Sequence, residues 1–303
     1  MTTQPKIFDR ALLALHRTRA APRGRDNDFL LRYVADDLAD RLAIIRRSFP
    51  IALNLGAHTG AVSRRLRRSD RIGLMIDADS SAAMLAHCDG PLLCADEEYL
   101  PFGPATLDLV VSGLALQLVN DLPGALIQIR HALKPDGLML ATLLGAGSLV
   151  ELREALLIAE TELEGGATPR VAPLADVRTL GGLLQRAGFA LPVADADTVR
   201  AAYPNPLALM HQLRAMGASN ALTRDYRKPL TRRVLAYASE IYSERHPAPD
   251  GGVFATFEFV TLTGWAPAPT QPKPLRPGSA TTRLADALGV PEGAPNTKKK
   301  ESP

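Results

Sequence analysis

Ile51-Ala52-Leu53-Asn54-Leu55-Gly56-Ala57-His58-Thr59-Gly60 is an apolar run that breaks into a glycine-bearing turn, and a second apolar run, Ile72 to Asp77, closes on an acid. A doubly wound sheet presents its first loop to a nucleotide-like ligand in this order: strand, glycine turn, helix, second strand, acid. Gly56 permits a tight turn directly off the strand, and Gly60 lets the next helix start close against the sheet, because neither carries a Cβ. His58 fills the middle position of the usual Gly-x-Gly-x-Gly, and Asn54 stands just before the turn where an acid is usual.

Outward from this stretch, strand and helix patterns alternate. Strand patterns at 52–55, 72–77, 91–94, 107–112 and 138–144 are separated by helical patterns at 60–68, 80–86 and 122–133. Such alternation implies right-handed crossovers and a parallel sheet. An amphipathic helix at 27–47 precedes the first strand, its apolar residues recurring at three and four. Past Gly147 the pattern changes to helices at 149–164 and 176–187, late strands at 189–193 and 254–264, and two helices between those strands, 206–216 and 231–242. That insertion is expected to form a lid over the crevice at the carboxyl ends of the strands. The expected fold is α/β, a Rossmann-like doubly wound, mostly parallel sheet with an inserted helical lid. Its expected segments are an N-terminal helical segment (1–48), a cofactor-binding core (49–147), lid helices with the final strands (148–265), and a disordered tail (266–303) rich in proline, threonine and lysine.

Bulk properties exclude several classes. A hydrophobic share of 46%, a charged share of 22% and a formal net charge of +3 describe an ordinary globular chain. That charge is too small to imply nucleic acid, and Arg64, Arg65, Arg67 and Arg68 read as a solvated helix face. The longest largely apolar run, Leu138 to Ala146, falls far short of the roughly 20 residues of a membrane span. The first residues lack the apolar stretch of a secretory signal, so a cytoplasmic location is expected. Cys88 and Cys94 match no zinc or redox spacing and read as reduced, mostly buried thiols.

Three features sharpen the ligand site. Asp77, followed by Ala78, ends the second strand where a carboxylate can accept two ribose hydroxyls. Asp96-Glu97-Glu98-Tyr99-Leu100-Pro101-Phe102 follows the third strand, where an acid can take an adenine amino group. Leu107-Asp108-Leu109-Val110-Val111-Ser112 ends in a small residue that leaves room for a ligand's reactive end.

With these residues the chain resembles the class I S-adenosylmethionine-dependent methyltransferases. It looks most like the branch that holds the biotin-pathway malonyl carrier methyltransferase and the complex I assembly factors of methyltransferase fold. Ile7-Phe8-Asp9-Arg10, Ala95-Asp96-Glu97-Glu98, Asn120-Asp121-Leu122-Pro123, Leu133-Lys134-Pro135-Asp136-Gly137, Ala159-Glu160-Thr161-Glu162, Arg186-Ala187-Gly188-Phe189, Met216-Gly217-Ala218-Ser219-Asn220 and Pro277-Gly278-Ser279-Ala280 carry that resemblance over nearly the whole chain. It implies S-adenosylmethionine as cofactor, held by Asn54, Gly56, His58, Gly60, Asp77, Ala78, Asp96, Glu97 and Ser112. A protein substrate is implied as partner, an iron-sulfur subunit of complex I among the family's targets. No catalytic base can be named. The family pattern Asp-Leu-Gly-Cys-Gly-x-Gly reads Asn54-Leu55-Gly56-Ala57-His58-Thr59-Gly60 here, and Gln117-Leu118 replaces His-Trp after the fourth strand.

Three functions follow: methyl transfer, hydroxylation of a protein arginine, and a non-catalytic assembly platform. Hydroxylation requires an oxygen-activating centre, and the six histidines, His16, His58, His87, His131, His211 and His246, form no compact motif for one. For a platform, the helices at 149–164 and 206–220, with Tyr203, Arg214 and Asn220, are the candidate partner surface.

Overall fold

The computed structural model describes residues 6–224, 228–249 and 251–272, and beyond them 279, 282 and 286. The tail expected from 266 lies largely outside these described residues. Met1–Ala268 form one unit and Pro269–Pro303 another; the sheet and its helices belong to the first.

Seven strands make one sheet: β1 (Phe49–Leu55), β2 (Ile72–Asp79), β3 (Leu92–Cys94), β4 (Leu107–Gly113), β5 (Leu133–Leu144), β6 (Ala190–Tyr203) and β7 (Val253–Trp265). Their order is β3-β2-β1-β4-β5-β7-β6. The first five are parallel, β7 runs antiparallel to β5, and β6 antiparallel to β7. The sheet is thus the expected Rossmann-like, mostly parallel one.

Nine helices are described: α1 (Arg10–Ala20), α2 (Phe29–Ala43), α3 (Ala61–Leu66), α4 (Ala82–Leu85), α5 (Leu122–Ala132), α6 (Val150–Glu164), α7 (Val177–Arg186), α8 (Pro206–Ala215) and α9 (Arg232–Arg245). Short polar side chains start several of them. Asp121, Asp176 and Asn205 accept the first-turn N–H of Gly124, Thr179 and Ala208, with proline just inside α5 and α8. One face of the sheet packs against α2, α3, α6 and α9 through residues such as Ala52, Leu109, Leu140 and Phe257. The other packs against α5 and α7 through Leu53, Val110, Met139 and Val260. Central strands buried on both faces must be apolar along their length, and this is why β1 and β4 read as continuous apolar runs.

Several elements differ from expectation. β5 begins at Leu133 rather than Leu138, so it takes in the residues 134–137 that read as a turn. β2 runs two residues past Asp77, to Asp79. β6 extends to Tyr203 rather than ending near Val193; on this edge strand half of Ala194 to Ala201 is exposed and none of it fully buried, so its middle carries no strong apolar signal. Tyr203 is accordingly buried, not part of a partner surface. Helix α1 is an element the apolar periodicity did not mark, although Asp9 caps it by accepting the N–H of Leu12. Arg64, Arg65 and Arg67 are half-buried rather than solvated: Arg64 donates to the Thr59 carbonyl, Arg65 to Asp36 at 2.6 Å and Arg67 to Asp77 at 2.7 Å. Of the two helices expected as a lid, α8 and the chain after it reach the crevice, whereas α9 packs on α6.

Phe257 on β7 is fully buried and reaches the crevice wall. Phe257→Ala is expected to cost about 3–5 kcal/mol of stability, read as a lower midpoint in chemical denaturation.

Candidate functional site

The glycine turn is fixed by β2. The backbone N–H groups of Gly56 and Ala57 both donate to the Ala78 carbonyl, at 2.8 and 2.9 Å. Gly56 has φ +70°, and a Cβ there would lie 2.1 Å from the Ala115 Cβ and 3.2 Å from Glu97 Oε1, so only glycine fits. Gly60, at φ +74°, starts α3. Between them His58 also takes a positive φ, +49°, and faces Leu114 after β4 at +55°. Two non-glycine residues in this region, in contact across the mouth of a sheet, mark a strained and therefore suspect functional position. The His58 ring Nε2 lies 3.3 Å from the Leu114 carbonyl, which requires that nitrogen to carry the proton. Burial and the nearby Arg17 guanidinium pull the His58 pKa down against the opposing pull of Asp79 and Glu97, so the ring is neutral at pH 7.

Asp77 does not face this turn. Asn54 Nδ2 donates to its Oδ1 at 2.8 Å, and Arg67 Nη2 to its Oδ2 at 2.7 Å, inside a fully buried pair of neighbouring strands. The acid at the turn is Asp79. Its Oδ2 accepts the His58 N–H at 3.0 Å and its Oδ1 the Ser81 N–H at 2.8 Å. The reason is register: Asp77 pairs with Asn54, one rung inside the sheet, and the strand continues to Asp79 level with Cys94. The pattern D-x-D at 77–79 could have signalled the choice, since both acids share one face of β2 and only the second lies beyond the last apolar residue.

Other expected residues divide similarly. Ala78 supports the turn through its carbonyl, and Ser112, buried, donates to the Leu55 carbonyl at 2.8 Å. Both hold the sheet together at its carboxyl end rather than opening toward a ligand. Asp96 and Glu97 instead pair with arginines of α1. Glu97 is fully buried and Asp96 about one-third exposed.

Two arginines of α1 complete the site. Arg17, 1% exposed, places Nη1 2.7 Å from Glu97 Oε1 and 3.5 Å from Asp79 Oδ1. Arg10 Nη2 donates to Asp96 at 2.6 Å and also to Glu97 Oε2. Burial alone would raise the Glu97 pKa, but the Arg17 and Arg10 guanidiniums outweigh it and hold the carboxyl at about 2. Burial pushes the Cys88 thiol, close to Gly60, up to about 12, which removes it as a nucleophile. Cys94 is exposed rather than buried.

Beside the turn lies a cavity of about 100 Å³, walled by apolar side chains of α1, α2 and the chain after α8, and by Arg17, His58, Thr59, Leu114 and Gln117. An adenosyl amino acid needs a close backbone turn, an acid for the ribose, an acid for the adenine amino group, and polar partners for its zwitterion. Gly56, Asp79 and Asp96 stand beside this cavity without lining it and are of the types the first three requirements call for, and two unpartnered buried atoms on the cavity wall, Arg17 Nη2 and Gln117 Oε1, match the fourth. The donor set fits. Small-molecule sites usually span roughly 300–1,000 Å³, so the cavity as it stands holds only part of such a ligand. Among the described residues no group of three or more His, Cys, Asp or Glu side chains is arranged to hold a metal ion, and no helix is long and apolar enough to cross a membrane.

Comparison with known proteins assigns the class. A family described as "Methyltransferase domain" matches residues 53–141. The chain is 38% identical over 311 residues to the human protein described as arginine-hydroxylase NDUFAF5, mitochondrial, covering 99% of this chain and 89% of that one. It is 36% identical over 244 residues to the malonyl-[acyl-carrier protein] O-methyltransferase of Halorhodospira halophila, covering 78% and 81%. A Bacillus halodurans protein solved as a methyltransferase candidate superposes with a TM-score of 0.54 at 12% identity, over 77% of this chain and 98% of that one, a likeness of fold. The chain therefore belongs to the class I S-adenosylmethionine-dependent methyltransferase family, whose cofactor is S-adenosylmethionine. Within it, the relatives it matches over nearly its full length are the arginine-hydroxylases of the NDUFAF5 kind. These relatives correct the expected cytoplasmic location: the zebrafish, rat, human and mouse proteins are all described as mitochondrial.

Asn54→Asp is expected to set two carboxylates against each other in the buried β1–β2 pair. It should cost on the order of 2 kcal/mol at pH 7, and partly recover below pH 5 as one carboxyl protonates, read by thermal unfolding against pH. Because Glu97 titrates near 2 in the folded chain and near 4.5 unfolded, its contribution is complete above pH 4.5 and is lost as pH falls toward 2. Glu97→Gln should flatten the fall of stability across that window.

Proposed function

We propose that this protein binds S-adenosylmethionine across the carboxyl ends of β1, β2 and β3 and modifies a protein side chain during assembly of respiratory complex I. The observation that carries the reading is the whole-chain likeness to arginine-hydroxylase NDUFAF5 proteins, joined to an acid beside the glycine turn. In this reading Asp79 takes the ribose hydroxyls. The His58 and Ser81 N–H groups hold its carboxylate with both oxygens toward the turn, so little reorientation is needed on binding. Asp96, one strand further on, takes the adenine amino group.

When bound, the cofactor supplies a methyl group already activated by a sulfonium. The protein's own part is then to align an acceptor and exclude water, which needs no side-chain base. Helix α1, the end of α8 and the chain after it perform the exclusion, since they wall the crevice with Leu13, Leu213 and Met216. The second reading, hydroxylation of an arginine, is favoured by the description arginine-hydroxylase that the vertebrate relatives carry; an iron-sulfur subunit of complex I as its target belongs to the proposal itself.

Titration of the purified chain with S-adenosylmethionine tests the shared step. Binding is expected in the wild type, a loss of tenfold or more in Asp79→Ala is expected at about two hydrogen bonds removed, and a smaller loss in Asp77→Ala. Absence of binding at millimolar ligand would leave a non-catalytic assembly platform. Mass spectrometry of the iron-sulfur subunit after incubation separates the two chemistries, with an added methyl group expected and an added oxygen supporting the hydroxylase.

A further inference from the structure

Arg17 and Gln117 meet in the wall of the same cavity, each with an atom that has no partner. Arg17 is almost wholly buried, and its Nη1 is held by Glu97 at 2.7 Å and by Ser80 Oγ at 3.3 Å. Its Nη2 is buried without an acceptor. Gln117 Nε2 donates to the Leu114 carbonyl at 2.8 Å. A carbonyl only accepts, so the amide orientation is fixed and Oε1 is the atom turned away, buried and without a donor. A buried guanidinium N–H and a buried amide oxygen left unmatched are each costly, and such groups call for a partner.

The required partner carries an acceptor of negative charge for Arg17 and a donor for Gln117, on a scaffold small enough for an apolar cavity. A zwitterionic α-amino acid group has both. Asn54 stands where the family pattern has an acid, and its own Nδ2 is engaged by Asp77. Its Oδ1 is also unpartnered, but Asn54 is not on the cavity wall. On the reading that the site holds S-adenosylmethionine, we propose that Arg17 and Gln117 form the subsite for the amino acid end of the cofactor, Arg17 Nη2 taking the α-carboxylate and Gln117 Oε1 the α-ammonium. Arg17 then serves two roles through one side chain: Nη1 locks α1 onto Glu97 and Asp79, and Nη2 reads the ligand. Glu97 orients the guanidinium and is a positioning residue for this contact.

Calorimetric titration of the full chain with S-adenosylhomocysteine and with 5′-methylthioadenosine tests this, because the second ligand keeps the nucleoside and thioether and lacks the amino acid end. The wild type is expected to prefer S-adenosylhomocysteine by about tenfold or more, the worth of charge-assisted contacts. Gln117→Leu is expected to reduce that preference to about threefold or less while 5′-methylthioadenosine binds as before, and Arg17→Lys to reduce the preference likewise, with nucleoside binding also weakened because Arg17 holds Asp79 and Glu97. Gln117→Leu lies outside the α1 ion pairs and keeps the test decisive if Arg17→Lys disturbs folding. Equal binding of the two ligands by the wild type, or a preference that survives both substitutions, overturns the subsite while leaving the cofactor reading intact. Binding of neither ligand overturns the cofactor reading and the subsite with it.

Discussion

An alternation of charge, Asp79, Arg17, Glu97, Arg10, Asp96, runs across the carboxyl ends of β2 and β3 and fastens α1 to the sheet. Glu97 is central because both arginines reach it, and it is fully buried. Taking such groups out of water is expensive, and the arrangement is tolerable only because every carboxylate has a guanidinium within reach. Removing one member leaves a charge stranded in a dry place, so the five behave as a unit. The unit also sets the electrostatics of the crevice. Three carboxylates face two guanidiniums there, and Glu98 adds a fourth at 3.9 Å from Arg10. The surplus is negative, which favours a ligand with a cationic centre in a site partly shielded from solvent.

The buried pair Asn54 and Asp77 shows why the glycine motif alone misleads about affinity. Read along the chain, Asn54 is an acid lost from a cofactor loop. Read across the strands, Asn54 is the neutral partner that Asp77 requires in register, with Arg67 completing the carboxylate on its other side. Two aspartates there would repel each other in a low-dielectric setting, and the amide instead donates a hydrogen bond. The departure from the pattern is thus a matter of how two strands fit. The acid that meets the turn backbone, Asp79, sits two residues further along β2.

What the sequence made legible follows from what periodicity records. Burial on both faces made β1 and β4 visible as apolar runs, and Gly56 was identifiable because Ala115 leaves no room for a Cβ. Asp96 and Glu97 were marked by their place after a strand. Asp79 was missed because strand ends are not encoded by hydrophobicity once the last rung is polar, and Asp77 offered an equally good acid one turn of the pleat earlier. Arg10 and Arg17 were missed for a related reason: α1 buries arginine on its inner face, so an apolar stripe does not mark it. Strand β6 was half legible, since an edge strand whose middle has no fully buried residue carries little apolar signal. The compartment was not legible from composition, and it was relatives described as mitochondrial that overturned the cytoplasmic expectation.

The two chemistries found among the relatives place a limit on where specificity resides. The family match spans only residues 53–141, from β1 into β5, yet the arginine-hydroxylase likeness continues over 99% of the chain and the malonyl methyltransferase likeness over 78%. A core that both groups share does not choose between an acyl carrier and a protein arginine. That choice falls to what covers the core. In this chain the covering is α1, whose arginines clamp the carboxyl ends, and the segment after α8, where Gly217 at φ +78° brings its backbone against Arg17. A Cβ at Gly217 would lie 3.2 Å from the Arg17 Cα, so the two covering elements meet at a point where there is little slack. If Arg17 holds the cofactor as proposed, an acceptor entering between these two elements displaces the helix that carries it, and acceptor entry and cofactor retention are coupled through that one residue.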